Sequence, residues 1–285
     1  MFRFLSSLLF LSLVAASTSA DEKAVSPDKI IDLIHGLDPD EFHVHLNEKA
    51  SLTTDPAEIW KKNDDGTLTV TGKGMGYVRT KQQFRDYHLV AEYKWGERTH
   101  ANRVDRSRDC GILLHSFGPD GAFGNTWISC IEAQMIEGGT GDLVALAARD
   151  GDGKTAKTRF AGRATEDRDG DWRWTPGAPF RTFPAEGKSM EKLYWEKRDP
   201  DWADVRGFSG KEDLEKPVGN WNRLEVICRD DTIHVYMNGE LVNVAKQCVP
   251  SSGFIGLQSE YAECHFRRLE LHPLDSYSVA WSEAA

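Results

Sequence analysis

Short segments in which apolar and polar residues alternate recur along most of this chain, separated by turn signals. Residues 67–71, 88–95, 224–228 and 232–237 follow a period of two. This period places successive side chains on opposite faces of a β-strand. Asn238-Gly239 follows the last of these segments and favours a hairpin turn. We find none of the helical patterns that connect parallel strands, so the sequence predicts an antiparallel sandwich or barrel.

The first 20 residues have the composition of a cleavable secretory signal. Arg3 supplies the positive start, residues 4–16 form an apolar run broken only by serines, and Thr18-Ser19-Ala20 ends in small residues. The apolar run is shorter than the roughly 20 residues needed to span a bilayer. We therefore expect residues 1–20 to be a signal peptide, the protein to be secreted or periplasmic, and no membrane span.

Residues 21–40 carry a helical pattern. Ser26 can cap a helix, Pro27 suits its first turn, and Gly36 can end it. The sequence therefore predicts a short N-terminal helix before the β-domain.

The β-domain is expected over residues 41–274, followed by a C-terminal tail over residues 275–285. A long insertion, about residues 138–219, departs from the strand rhythm and is rich in charge, glycine and proline with scattered aromatics. A structureless loop of this length is unusual within a compact domain, so we expect the insertion to pack partly onto the sandwich.

Charge and cysteine content exclude several classes of function. The chain has 35 Lys and Arg against 45 Asp and Glu, a formal net charge of -10, without a basic stripe. Nucleic acid is therefore not an expected partner, whereas a neutral sugar is compatible with this charge. The five cysteines form no CxxC pairs that would indicate a zinc site. We expect buried thiols or an opportunistic disulfide.

Three segments place polar residues in strands that otherwise look buried: residues 109–115, 127–136 and 253–261. Their alternation puts hydrogen-bonding side chains on one face and apolar side chains on the other. Amides and carboxylates are seldom buried without partners, so such a face commonly meets water or a ligand. The candidate site residues from these segments are Asp109, His115, Glu132, Gln134, Gln258 and Glu260.

Several short motifs, in their order and spacing, resemble the 3-keto-disaccharide hydrolase domain family. These are Gly219-Asn220-Trp221-Asn222, Met237-Asn238-Gly239, residues 253–260 and the pair Phe266-Arg267. The resemblance runs from about Phe42 to Pro273. It implies an all-β concanavalin A-like β-sandwich (jelly roll), and it implies cleavage of glycosides oxidised to a ketone at carbon 3.

The resemblance also suggests roles for the candidate residues. A ketone acidifies the hydrogen on carbon 2, so a base can remove it while the group on carbon 1 leaves, and water addition completes net hydrolysis. Glu132 or His115 would be the base, with Glu260 as a second acid or base or as a ligand to a divalent cation. Asp109, Gln134, Gln258 and Arg267 would bind the sugar. A sugar dehydrogenase acting upstream is the expected partner.

Two other functions fit the same sequence. A non-catalytic carbohydrate-binding module needs only a polar face and aromatic residues, and the chain has nine tryptophans. A retaining glucanase would use two carboxylates on one strand, and Glu132 and Glu137 have the matching spacing.

Overall fold

The computed structural model describes residues 24–34, 42–147 and 157–276. Within these residues the fold is almost entirely β, with one four-residue α-helix (Pro56–Ile59) and two short 3₁₀ turns (Ala101–Arg103 and Leu274–Ser276). The strands are β1 (Ile31–Asp32), β2 (Phe42–Leu46), β3 (Trp60–Lys62), β4 (Leu68–Val70), β5 (Met75–Thr80), β6 (Tyr87–Thr99), β7 (Asp109–Phe117), β8 (Ser129–Ile136), β9 (Leu143–Leu146), β10 (Arg159–Glu166), β11 (Trp172–Trp174), β12 (Phe180–Phe183), β13 (Met190–Leu193), β14 (Asn222–Arg229), β15 (Thr232–Met237), β16 (Glu240–Val249), β17 (Phe254–Glu260) and β18 (Ala262–Pro273).

The strands form two sheets. One has eleven strands in the order β11-β10-β16-β15-β14-β6-β18-β4-β3, with β1 added on β18 and β12 on β10. The other has seven strands in the order β13-β9-β8-β7-β17-β5-β2. All strand pairs within the sheets are antiparallel, including the hairpin of β15 and β16. Asn238 and Gly239 form its turn with φ of 49° and 92°, the left-handed values that such a two-residue turn requires.

The hydrophobic core lies between the sheets. The seven-stranded sheet contributes alternate residues such as Cys110, Ile112 and Leu114, and the eleven-stranded sheet contributes Leu89 and Trp95. All five are at most 1% exposed. Burial of each large apolar side chain stabilises the fold by about 1.5–3 kcal/mol. The predicted all-β concanavalin A-like sandwich is therefore confirmed, with the predicted inward face of β7 turned inward.

The N-terminal segment differs from the predicted helix. Over the described residues 24–34, Ile31 and Asp32 form β1, which pairs with Leu271 and Glu270 of β18. Leu33 and Ile34 are 4% and 2% exposed, so the end of this segment packs into the hydrophobic core. The proposed signal peptide, residues 21–23 and residues 35–40 lie outside the described residues. In the part of the chain that the structure describes, no helix is long and apolar enough to cross a membrane.

The insertion is part of the sandwich. Its strands β9 and β13 extend the seven-stranded sheet, and β10, β11 and β12 extend the eleven-stranded one. Arginine side chains between aromatic rings help to hold it: the Arg198 guanidinium carbon lies 4.2 Å from the ring centre of Tyr194 and 4.3 Å from that of Trp202. All five cysteines are buried free thiols.

Candidate functional site

Five of the seven candidate residues meet on the outer face of the seven-stranded sheet, across its three central strands. Leu113 of β7 pairs with Glu132 of β8, and Gly111 pairs with Gln134. On the other side of β7, the register of β17 brings Gln258 beside Gly111. Because side chains alternate along each strand, these polar groups share one face, as the sequence predicted.

Gly111 allows the Glu132 carboxylate to lie across β7. A Cβ atom at this position would overlap Glu132 Oε1 and would lie 2.9 Å from Gln258 Oε1. Glu132 is 7% exposed and Gln258 is 3% exposed, so the carboxylate is nearly removed from bulk water. The sheet therefore holds a carboxylate and an amide in contact over a glycine, where a larger residue would displace them.

Arg103 joins two further carboxylates beside this pair. Its Nη2 donates to Asp109 Oδ2 and, over 2.8 Å, to Glu260 Oε1. Gln134 Nε2 donates to Asp109 Oδ1 over 2.8 Å. Arg103 Nη1 also lies 3.4 Å from Asp204 Oδ1, which belongs to the insertion. Sequence patterning missed Arg103 because it lies in a 3₁₀ turn, outside the alternating strands.

Burial and mutual repulsion raise the pKa values of two carboxyls in the site, those of Glu132 and Asp109. Burial, and then the nearby charge of Glu260, raise the pKa of Glu132 to about 8, against the opposing effects of Lys192 and a hydrogen bond from Gln258. Burial and Glu260 also raise the pKa of Asp109 well above its usual range, although Arg103 opposes this. At neutral pH the Glu132 side chain is therefore mostly protonated, and it is a much stronger base than an exposed carboxylate.

Lys192 is a second residue that sequence patterning missed. It pairs with Val144 of β9, which pairs in turn with Glu132, so Lys192 lies on the same face two strands away. Its charge lowers the pKa of both Glu132 and Asp109. Since β13 belongs to the insertion, the insertion contributes a cation to this face.

A cluster around Asp120 borders the other side of the site. Asp120 Oδ1 accepts a 2.5 Å hydrogen bond from Tyr77 OH, and Oδ2 lies 2.7 Å from His43 Nε2. Arg79 Nε lies 3.5 Å from Asp120 Oδ1. Tyr77 pairs with Gln258 across β5 and β17. These contacts fix the loop after β7 at the edge of the polar face.

His115 does not belong to the site, contrary to the sequence prediction. The pairing of β7 with β8 shifts register between Leu114 and Phe117, and His115 has a φ of 51°. This bulge ends the alternation that would have put His115 on the face of Asp109. The His115 ring instead packs edge-on against buried Tyr87 of the opposite sheet, with 5.8 Å between ring centres. Its Nδ1 lies 3.2 Å from the Pro250 carbonyl oxygen.

Arg267 is also remote from the site. It lies on β18 of the eleven-stranded sheet, where Nε donates to Glu92 Oε2 over 2.6 Å. Its guanidinium carbon lies 4.7 Å from the ring centre of Trp221. The structure therefore brings together Asp109, Glu132, Gln134, Gln258 and Glu260, but not the other two candidates.

Two alternative roles for the carboxylates, binding of a divalent cation and glucanase catalysis by Glu132 and Glu137, fit the geometry poorly. Among the described residues, no group of three or more His, Cys, Asp or Glu is arranged to hold a metal ion. The Asp109 and Glu260 oxygens that face each other already bind Arg103, which would repel a cation. Glu137, the second carboxylate of the glucanase alternative, forms a buried 2.7 Å ion pair with Arg108 beyond the end of β8.

An all-β sandwich with buried, interacting carboxyls and amides on one sheet face is compatible with a carbohydrate-active protein. Comparison with known families agrees: the 3-keto-alpha-glucoside-1,2-lyase-like domain matches residues 31–272. The chain belongs to this family.

Several solved structures are similar to this chain at low sequence identity. A Parabacteroides distasonis protein assigned to the glycosyl hydrolases is 15% identical, with a TM-score of 0.46, over 87% of this chain and 95% of its own. The carbohydrate binding module CBM66 from Bacillus subtilis is 10% identical, with a TM-score of 0.42, over 81% and 94%. A β-glucanase from Bacillus licheniformis is 9% identical, with a TM-score of 0.39, over 85% and 96%. These likenesses are too distant to carry an argument about function. No curated protein matches the chain.

Proposed function

We propose that this protein cleaves glycosides whose sugar ring carries a ketone at carbon 3, by elimination between carbons 1 and 2. The observation that carries the proposal is the Glu132 carboxyl, buried against Gly111 and Gln258 with a pKa of about 8. A general base works best when its pKa lies near the working pH, and a raised pKa also strengthens it as a base. Family membership supports the substrate class.

In the proposed reaction Glu132, in its ionised form, removes the proton from carbon 2. The electron pair of that C–H bond forms the double bond between carbons 1 and 2, and the bond from carbon 1 to the glycosidic oxygen breaks. The departing oxygen takes a proton from Glu260, whose side chain is 20% exposed. Water addition to the double bond then gives net hydrolysis.

Arg103 and the amides have supporting roles in this mechanism. Negative charge develops on the carbon 3 oxygen as the proton leaves, and a fixed guanidinium or N–H donor stabilises it. Arg103 is the cation that the fold anchors here, through Asp109, Glu260 and Asp204. Gln134 and Gln258 are suited to bind sugar hydroxyls, because each amide group both donates and accepts.

The direct test compares 4-nitrophenyl 3-keto-glucosides with the unoxidised glucosides, with and without a chelator. The proposal expects nitrophenol release only from the keto forms, and loss of that release in Glu132→Gln. Glu196→Gln, an exposed residue of the insertion, is the matched control and should retain activity. Binding without release from any substrate would favour the non-catalytic module instead, and full activity of Glu132→Gln would refute the assigned base.

The same proposal implies a cellular context. A 3-keto-glycoside must be made by an enzyme that oxidises the carbon 3 hydroxyl, so a sugar dehydrogenase is the expected upstream partner. We also propose that residues 1–20 direct export. N-terminal sequencing of protein recovered outside the cytoplasm should begin near Asp21, and an intact Met1 would contradict export by cleavage.

A further inference from the structure

A polar cavity of 360 Å³ lies on the outer face of the eleven-stranded sheet, away from the carboxylate site. Its floor is a row of cross-strand neighbours. Lys61 of β3 pairs with Thr69 of β4, Thr69 pairs with His265 of β18, and His265 pairs with Lys94 of β6. Because paired residues project to the same face, the row brings two lysines to the two sides of a hydroxyl and an imidazole.

The polar floor of this cavity is ordered by hydrogen bonds. Asn63 Nδ2 donates to Thr67 Oγ1 and to Thr69 Oγ1, over 2.9 Å each. Thr69 Oγ1 shares a further 2.9 Å hydrogen bond with His265 Nδ1. Thr69 is only 6% exposed, so its hydroxyl is a fixed part of the floor.

Basic side chains outnumber carboxylates in the lining of the cavity, with Lys61, Lys94 and Arg98 against Asp65. Asp65 accepts from the Thr67 N–H and hydroxyl, and Glu263 is bound by Arg98. The hydrogen bonds from Thr67, together with the charge of Lys94, lower the pKa of Asp65, so this carboxylate compensates part of the positive charge. The lining therefore keeps an excess of positive charge, although the whole chain carries a net charge of -10.

Trp221 holds one of these lysines in place. Lys94 Nζ lies 4.8 Å from the centre of the Trp221 ring, a cation–π contact that restricts an otherwise flexible side chain. An ammonium group fixed in this way loses less conformational entropy when it binds a ligand. The cavity therefore has an ordered cation, a second cation opposite and hydroxyl and amide groups between them.

We propose that this cavity binds an acidic sugar, a saccharide unit that carries a carboxylate or sulfate group. The lysines would bind the anionic group, and the Asn63 and threonine oxygens would bind ring hydroxyls. A volume of 360 Å³ lies at the lower end of small-ligand sites, which suits one or two sugar units. This binding site is independent of the proposed cleavage, because it lies on the other sheet.

The test measures calorimetric binding of tetra-galacturonate, with neutral cellotetraose and sodium sulfate as comparison ligands. Wild-type protein and the matched control Lys211→Gln should bind tetra-galacturonate, more weakly at higher salt. The double variant Lys61→Gln/Lys94→Gln should bind it at least about fivefold more weakly, as expected for two ion pairs near a surface. Activity on 3-keto-glucosides should be unchanged in this variant, which separates the two proposals and shows that it folds.

A second readout comes from His265. Burial, and the charges of Lys94 and Arg98, lower the pKa of His265, against the opposing charges of Glu263 and Asp65. A bound anion should raise that pKa, which the proton resonances of the His265 ring report in wild-type protein. No binding of tetra-galacturonate, equal binding by the double variant, or binding of sulfate alone would overturn the proposal.

Discussion

Replacing Glu132 by glutamine is expected to stabilise the fold while it removes catalysis. The side chain is 7% exposed, and its pKa rises from the ordinary 4.5 to about 8 in the folded protein. Glutamine keeps the shape of the carboxyl but cannot ionise. The variant therefore avoids the free-energy cost of burying an ionisable carboxyl, so the folded state becomes more stable relative to the unfolded state.

The sign and size of this effect follow from linkage between protonation and folding. Below pH 4.5 the carboxyl is neutral in both the folded and the unfolded chain, so its ionisation costs the fold nothing. Between pH 4.5 and 8 the unfolded chain ionises first and binds fewer protons than the folded protein, so stability falls as pH rises. From pH 5 to pH 8 this loss amounts to about 3 kcal/mol.

The assay is urea unfolding of wild type, Glu132→Gln and the exposed control Glu196→Gln at both pH values. The stability difference between Glu132→Gln and wild type should move in favour of the variant by about 3 kcal/mol from pH 5 to pH 8. Constant packing or hydrogen-bond effects of the substitution cancel in this comparison. A difference that is the same at both pH values would refute the raised pKa, and with it the proposed base.

Three further substitutions test the site geometry. Gly111→Ala should lower kcat at least about tenfold, equivalent to roughly 1.4 kcal/mol, because the Cβ atom of the alanine displaces the Glu132 carboxylate. A variant with wild-type kcat would contradict the close packing of Glu132 over Gly111. Arg103→Gln should destabilise the protein by about 3–5 kcal/mol in urea unfolding at pH 7, because it leaves two carboxylates without their cation. The destabilisation should be smaller at pH 4. An equal loss of unfolding free energy at both pH values would contradict this explanation. His115→Ala should lower thermal stability but keep kcat within about threefold, since its ring packs between the sheets; loss of kcat in a folded variant would restore it as a candidate base.

The strand pattern predicted the polar face because alternation is a local property of the backbone. Glu132, Gln134 and Gln258 lie where period-two reading puts them, and their neighbours Ile131 and Ala133 face the core. The predicted facing of His115 was wrong because one bulge reverses the facing of the residues after it, and a bulge leaves no clear trace in the residue pattern.

Other features depend on contacts between distant parts of the chain. Arg103 reaches Glu260 across 157 positions, and Lys192 reaches the site only because β13 joins the sheet edge. Strand pairing of this kind cannot be derived from local periodicity. The prediction of an N-terminal helix was wrong for the same reason. Pairing of this segment with β18 outweighs the weak helical preference of so short a stretch of chain.

The measurement closest to the central claim follows a deuterium label on carbon 2 of a 3-keto-glucoside during turnover. Elimination breaks the bond from carbon 2 to hydrogen before or as the aglycone leaves. The account therefore predicts slower release from the labelled substrate and loss of deuterium to solvent in the sugar product, with both signals absent in Glu132→Gln. Quantitative retention of deuterium on carbon 2, with release at the unlabelled rate, would contradict it.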